Sequence, residues 1–445
     1  MKKTALGLML GLATFAAAAE SRFHPNHLFI KMKQGNSLVK SEKILSAKKI
    51  IGNIYLVKTN DVNGLASEVN ASAAVEYTQK DFYSGKKAMP KHEVLEPIAF
   101  EIKKLSDFFS FNDPEVSKLW AFNSTTGMGV ADAYNALPAH AANEVIVAVV
   151  DTGVDHNHED LKDIMWTNAA EIPADGVDND ANGYIDDIHG INTLVRDANG
   201  NATMNTMASH WHGTHVSGTI AATQNNGIGI AGVASNVKIM AIRTVPDDSD
   251  ELDSNIVESY KYAAKMGAKV INCSFGKAVN EGGMIVRDVI NEIGQKHNVL
   301  VVVSAGNDSM GPFNWHNNDS SPKYPASFDS ETMLTIASTD NKGALSSFTN
   351  VGKLTVDVAA PGSNIYSTIN GSKYGMASGT SMAAPNTSGV AAMVKGFYPN
   401  LTALQLKKVL MDSTTKVASF KDKTVSGGRV NLKAALSAAA KIKKH

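Results

Sequence analysis

Cysteine is nearly absent from this chain of 445 residues, where Cys273 is the only one. No internal disulfide can form, so stability has to come from a packed core and from any bound ions. Charge of one sign is not in surplus either: Lys plus Arg number 42 and Asp plus Glu 43. That balance gives no pull toward nucleic acid or an anionic membrane surface. Beyond the N-terminus no apolar run is long enough to cross a bilayer. Internal repeats, low-complexity stretches and the HExxH pattern of a zinc protease are missing too. These absences leave an ordinary globular composition, with 43% apolar residues and length for more than one domain.

The N-terminus reads as an export signal over residues 1–19. Lys2 and Lys3 precede the apolar stretch from Leu6 to Phe15, and Ala17, Ala18 and Ala19 offer a small-residue cleavage site. The stretch is too short for a membrane anchor. Secretion, to the periplasm or out of the cell, is the expectation. Cys273 ends the apolar segment AKVINCS and reads as a small core residue. A position close to the active site, with sensitivity to thiol reagents, is the alternative.

Three segments carry the chemistry: Asp151 in VIVAVVDTGVD, His212 in HWHGTHVSG and Ser381 in GTSMAAP. A serine hydroxyl is a poor nucleophile at neutral pH, so an imidazole must take its proton. A buried carboxylate must hold that imidazole in the right tautomer and balance its charge once protonated. In the order Asp, His, Ser these motifs resemble the subtilisin-like serine proteases, the subtilases. The resemblance implies that Ser381 attacks the scissile carbonyl, His212 is general base and then acid, and Asp151 orients His212. It also makes Asn307, in VVVSAGN, the side-chain donor of the oxyanion hole beside the backbone N–H of Ser381. Among three clustered histidines, His210, His212 and His215, the resemblance selects His212.

The segments VIVAVVD, VKIMAIR, AKVINCS, VLVVVSA and TMLTIAS are almost unbroken apolar runs, as in strands buried on both faces of a parallel sheet. Helical patterns fall between them. The alternation predicts an α/β fold, a doubly wound and mostly parallel sheet with helices on both faces. Asp151 and Asn307 then lie at the C-terminal ends of strands, where open sheets build their sites.

Residues 20–110 differ. They are Lys-rich, with strand-like HLFIKMK and IIGNIYLVK and helical NGLASEVN. They resemble the small α+β inhibitor and chaperone propeptides of subtilases. A catalytic domain over 111–440 and a basic tail over 441–445 follow, with no C-terminal accessory domain expected. Lys86-Lys87 and Lys103-Lys104 are candidate cut sites.

By resemblance, Ser274, Phe275 and Gly276 form one substrate edge and part of the S1 wall, and Ser304, Ala305 and Gly306 line its floor. No charged residue falls in these segments, which implies an apolar or broad P1 preference. The other edge, DDSDELD, carries Asp247, Asp248, Asp250, Glu251 and Asp253; it reads as a solvated surface loop, with a preference for basic residues at P2 or P4 as the alternative.

Two loops are candidates for calcium. In DGVDNDANGYIDD, Asp178, Asp180 and Asn182 alternate before Gly183, as in the front half of a calcium loop, with Asp186 or Asp187 to close it. By resemblance, Asp160, Asn226 and the carbonyls of Ile228 and Ile230 form a second site. The run GIGIAG matches a dinucleotide pattern but follows a helix, so that reading is set aside.

The expectation is a monomeric, calcium-binding serine endopeptidase acting on protein substrates, with its own propeptide as inhibitor. A convertase-like processing protease, a non-catalytic binding protein and an esterase are the alternatives.

Overall fold

A computed structural model describes residues 23–83, 111–137, 143–249, 251–277, 283–311 and 314–442. The expected signal, both candidate cut sites, Asp250 and most of the basic tail lie outside these residues.

The N-terminal unit is an antiparallel sheet of β1 (Phe23–Met32), β2 (Ser46–Ile51), β3 (Ile54–Lys58) and β4 (Val75–Phe82), in the order β2-β3-β1-β4, with α1 (Val62–Asn70). Alternation along β1 explains its two contacts. Leu28, Ile30 and Met32 pack with Leu65 and Val69 of α1, while Phe29 joins the core of the larger unit. The segment IIGNIYLVK is a hairpin and not one strand. Gly52, at φ +52°, turns the chain with Asn53 between β2 and β3.

The larger unit contains, in chain order, α2 (Val130–Ala136), β5 (Val145–Asp151), β6 (Asn192–Arg196), β7 (Ala202–Thr203), α3 (His212–Ala221), β8 (Val237–Arg243), α4 (Asp253–Lys265), β9 (Val270–Cys273), α5 (Ile285–His297), β10 (Leu300–Ser304), β11 (Met333–Thr339), β12 (Val358–Pro361), β13 (Ile365–Ile369), β14 (Lys373–Ala377), α6 (Thr380–Phe397), α7 (Ala403–Asp412), β15 (Thr415–Lys416), β16 (Gly428–Arg429) and α8 (Leu432–Ala439). Ten strands form one sheet, β15-β16-β12-β11-β10-β9-β5-β8-β6-β7, parallel from β16 through β6. β13 and β14 make a separate hairpin.

Successive residues of β5 face opposite cores. Val147 and Val149 meet Val216 and Ile220 of α3 and Val390 of α6. Ala148 and Val150 meet Ile256 and Tyr260 of α4 and Ile290 of α5. Burial on both faces is why these strands read as continuous apolar runs. Among the described residues no helix is long and apolar enough to cross a membrane.

Candidate active site

Asp151 is the last residue of β5 and is fully buried. His212 is the first residue of α3, and its Nδ1 lies 2.8 Å from Asp151 Oδ1. Gly213 makes that approach possible. A Cβ there would sit 2.1 Å from the Gly153 carbonyl oxygen, so only glycine lets α3 rest on the loop after β5. The same Asp151 oxygen accepts the Thr152 N–H at 2.8 Å, and Oδ2 has no hydrogen-bond partner among the described residues. The imidazole is thus the group left to balance a buried carboxylate.

Ser381 is the second residue of α6, partly exposed. Its Oγ donates to the Ser274 carbonyl at 3.0 Å. No hydrogen bond joins it to His212 among the described residues. Asn307 follows β10 by three residues and is exposed. Its Oδ1 accepts from Thr380 N at 2.8 Å and from Thr380 Oγ1 at 3.0 Å. With the oxygen held, the amide Nδ2 is the end that is left to donate. A Cβ built on Gly379 would lie 3.6 Å from both Asn307 Nδ2 and Ser381 N. Two nitrogens able to donate therefore border one point beside Ser381.

The other histidines differ from His212. His215, fully buried, donates from Nε2 to the Ile365 carbonyl, and burial with the nearby His212 lowers its pKa to about 3. Burial also lowers that of the half-buried His210, with His212 adding to the effect. Cys273 is buried with its sulfur 3.0 Å from the Tyr260 hydroxyl, and burial pushes its thiol well up. A neutral, enclosed thiol is inert.

Ser274 and Phe275 are buried, while Gly276 is exposed. Ser304 Oγ reaches the Phe275 carbonyl at 3.5 Å, tying the expected floor to the expected wall. Ala305 is buried and Gly306 half-buried.

The second edge departs from expectation. Glu251 and Asp253 are each 1% exposed. Asp253 ion-pairs with Lys277, whose amine also donates to the Phe82 carbonyl of the N-terminal unit. Burial would depress Lys277, but Asp253 and Glu251 together keep it protonated. Asp247 takes the Ser209 hydroxyl and lies 3.6 Å from Arg243. Asp248 is left exposed. Of the described acids in this segment, Asp247 and Asp248 face solvent while Glu251 and Asp253 are withdrawn into the protein, where buried acids need partners.

Both candidate calcium sites are built on clustered or buried acids. Asp160 is fully buried and accepts from Asn226 Nδ2 (2.8 Å), Ile230 N–H (3.0 Å) and the Tyr374 hydroxyl (3.2 Å). Ile228 turns its N–H to Asn226 Oδ1. A ligating carboxylate is commonly hydrogen-bonded as well, so these three donors leave Asp160 lone pairs for a cation. Burial pushes the Asp160 carboxyl up to about 6.

In the acidic loop, Glu171, Asp178 and Asp180 each bring an oxygen within 4.8 Å of the others. This set fits a hard cation. Asn182 and Asp187 take other partners. Asn182 bonds Asp180, Asp187 and the Tyr184 N–H, and Asp187 receives Asn168, Asn182 and Tyr262. Glu171 escapes sequence reading because the closing carboxylate was sought after the loop, and this one precedes it.

The profile described as "Subtilase family" matches residues 142–428. The chain belongs to the subtilase family. Among subtilases, it is 30% identical over 359 residues to "Subtilisin-like protease 1" of Plasmodium berghei (strain Anka), covering 77% of this chain and 58% of that one. To thermitase of Thermoactinomyces vulgaris it is 37% identical over 250 residues, covering 56% of this chain and 74% of that one. A solved protease structure from Pseudoalteromonas arctica PAMC 21717 aligns with TM-score 0.57 at 27% identity, covering 74% of this chain and 99% of that one. The chain spans 58% of the length of the Plasmodium berghei relative and 53% of the Plasmodium vivax one, roughly half.

Proposed function

We propose that this subtilase is a secreted serine endopeptidase, made as a precursor whose N-terminal unit (residues 20–110) is its inhibitor until removed. The observations that carry the reading are the Asp151–His212 hydrogen bond at the end of β5 and the two nitrogens, Asn307 Nδ2 and Ser381 N, that border one point where Ser381 opens α6. With Nδ1–H donated to Asp151, the His212 Nε2 lone pair takes the Ser381 proton as Oγ attacks the carbonyl carbon. Negative charge grows on the carbonyl oxygen and is met by Asn307 and the Ser381 N–H. Collapse expels the amine, which receives the proton from His212. Water then repeats the sequence on the acyl-enzyme. The substrate lies extended along Ser274, Phe275 and Gly276, with Ser304, Ala305 and Gly306 under P1.

Self-processing is supported by the path of the N-terminal unit. β4 ends at Phe82, whose carbonyl is held by Lys277, the residue next to the Ser274–Gly276 edge. Export is supported by residues 1–19 and by a relative named "Halolysin-like extracellular serine protease Nep", from Natrialba magadii. Calcium at Glu171, Asp178 and Asp180 would neutralise three clustered carboxylates and so stabilise the loop.

The test is the intact mass of secreted wild type beside Ser381→Ala. Wild type loses its N-terminal unit, and the variant keeps it. Two full-length products that cleave no peptide would favour a binding protein instead.

A further inference from the structure

β9 is apolar except for Asn272, which is fully buried between Val149 of β5 and Val302 of β10. A buried amide in the middle of a sheet is costly unless its hydrogen bonds are met. Both of its bonds lead to the nucleophile. Ser388 Oγ, on α6, donates to Asn272 Oδ1 at 2.9 Å. Asn272 Nδ2 donates to Ser274 Oγ at 3.0 Å, and Ser274 Oγ donates to the Ser381 carbonyl at 2.8 Å.

The direction of this chain is set at each step. Ser388 has one hydroxyl proton and spends it on the Asn272 oxygen, which leaves the amide nitrogen facing Ser274. Because Ser274 Oγ accepts there, its own proton points to Ser381. The Ser381 carbonyl is available for a reason found four residues on. Pro385 stands inside α6 and has no N–H, so the bond that a helix would make to Ser381 O is missing. Ser274 supplies it. Ser274 also accepts the Ser381 hydroxyl on its carbonyl. The substrate edge and the nucleophile are thereby joined by two reciprocal bonds.

We infer that Asn272 is a positioning residue: through Ser274 it holds the backbone of Ser381 in register with the substrate edge. This rests on the peptidase reading above. Small misplacements of a reacting group are expensive, on the order of 100-fold for 1 Å.

Asn272→Asp is the test. It keeps the size and the Ser388 bond, but above the pKa of the new carboxyl, which burial raises, the ionised group cannot donate, so the Ser274 hydroxyl turns from Ser381 toward it and the assay is run at alkaline pH. With a peptide anilide, kcat should fall about tenfold or more while KM stays within about twofold. Protonation of the new carboxyl restores a donor, so the deficit against wild type should shrink as pH is lowered. Ser274→Ala added to Asn272→Asp should cost no more than either change alone, since both break one bond. Ser388→Ala, which frees only the orienting hydroxyl, decides the matter if Asn272→Asp fails to fold, and should lower kcat in the same sense. A kcat within about twofold of wild type in the folded variants, a change in KM alone, or additive losses would overturn the inference. A wild type that cleaves nothing would sink the peptidase reading, and this inference with it.

Discussion

The two units of this chain use their sheets in opposite ways. The larger sheet is covered on both faces by its own helices, and the site hangs from its strand ends. The small sheet covers one face with α1 and lays the other on α4 and α5 of its neighbour. That contact is mostly polar at its rim. Asp81 Oδ1 accepts the Ser254 N–H at the start of α4, and Gln79 Oε1 accepts those of Met284 and Ile285 at the start of α5. Lys31 and Tyr77 both reach Asp288, and Lys48 reaches Glu258. Burial would raise Glu258, but Arg196 and Lys48 hold it below the usual carboxylate range. Under the proposed maturation, a unit fixed by hydrogen bonds to helix ends, by ion pairs and by the apolar patch of Phe29, Ile50 and Ile54 would leave without unfolding the other. A unit whose core is shared between two faces of one sheet cannot.

Four further changes test that contrast. The largest effect falls on the rigid side. Asn307→Ala should lower kcat about 100-fold or more, with KM little changed, because it removes a donor felt in the transition state. A loss confined to KM would show that Asn307 serves binding only. Next comes the removable contact. Asp81→Ala strips α4 of its acceptor and leaves a buried N–H unmet, so the small unit added in trans should inhibit about tenfold more weakly. Unchanged inhibition would mean that the apolar contact through Phe29, Ile50 and Ile54 suffices.

Glu171→Gln should lower the melting temperature by a few degrees more in calcium than in chelator, where only a carboxylate bond to a backbone N–H is lost. Equal melting of wild type with and without chelator would remove calcium from the acidic loop. The smallest effect is a null. A small thiol reagent should neither label Cys273 in the folded protein nor reduce activity, since the thiol is enclosed and uncharged. Labelling before unfolding would show that the core opens beside the site.

Much of this molecule is legible in order along the chain. Unbroken apolar runs marked the parallel strands, and a compact motif surrounds each of Asp151, His212 and Ser381. The hairpin at Gly52 was hidden because IIGNIYLVK is apolar on both sides of its turn. The burial of Asp253 was not legible, because spacing cannot tell an exposed carboxylate from one buried against a lysine 24 residues away, here Lys277. Glu171 was hidden by its place before the loop it closes.

The sequence by itself determined the motifs of the subtilase family and the α/β alternation, because each depends on residue type and on a period of a few residues. The tertiary structure decided which groups meet. Placing β10, β9, β5 and β8 side by side, with α3 and α6 against them, brings together Asp151 and His212, 61 positions apart, and Ser274 and Ser381, 107 apart. The sense of each hydrogen bond was decided there as well. Whether Asn272 faces Ser274 or Asp160 faces Tyr374 depends on donors that arrive from other elements, and no local pattern records them.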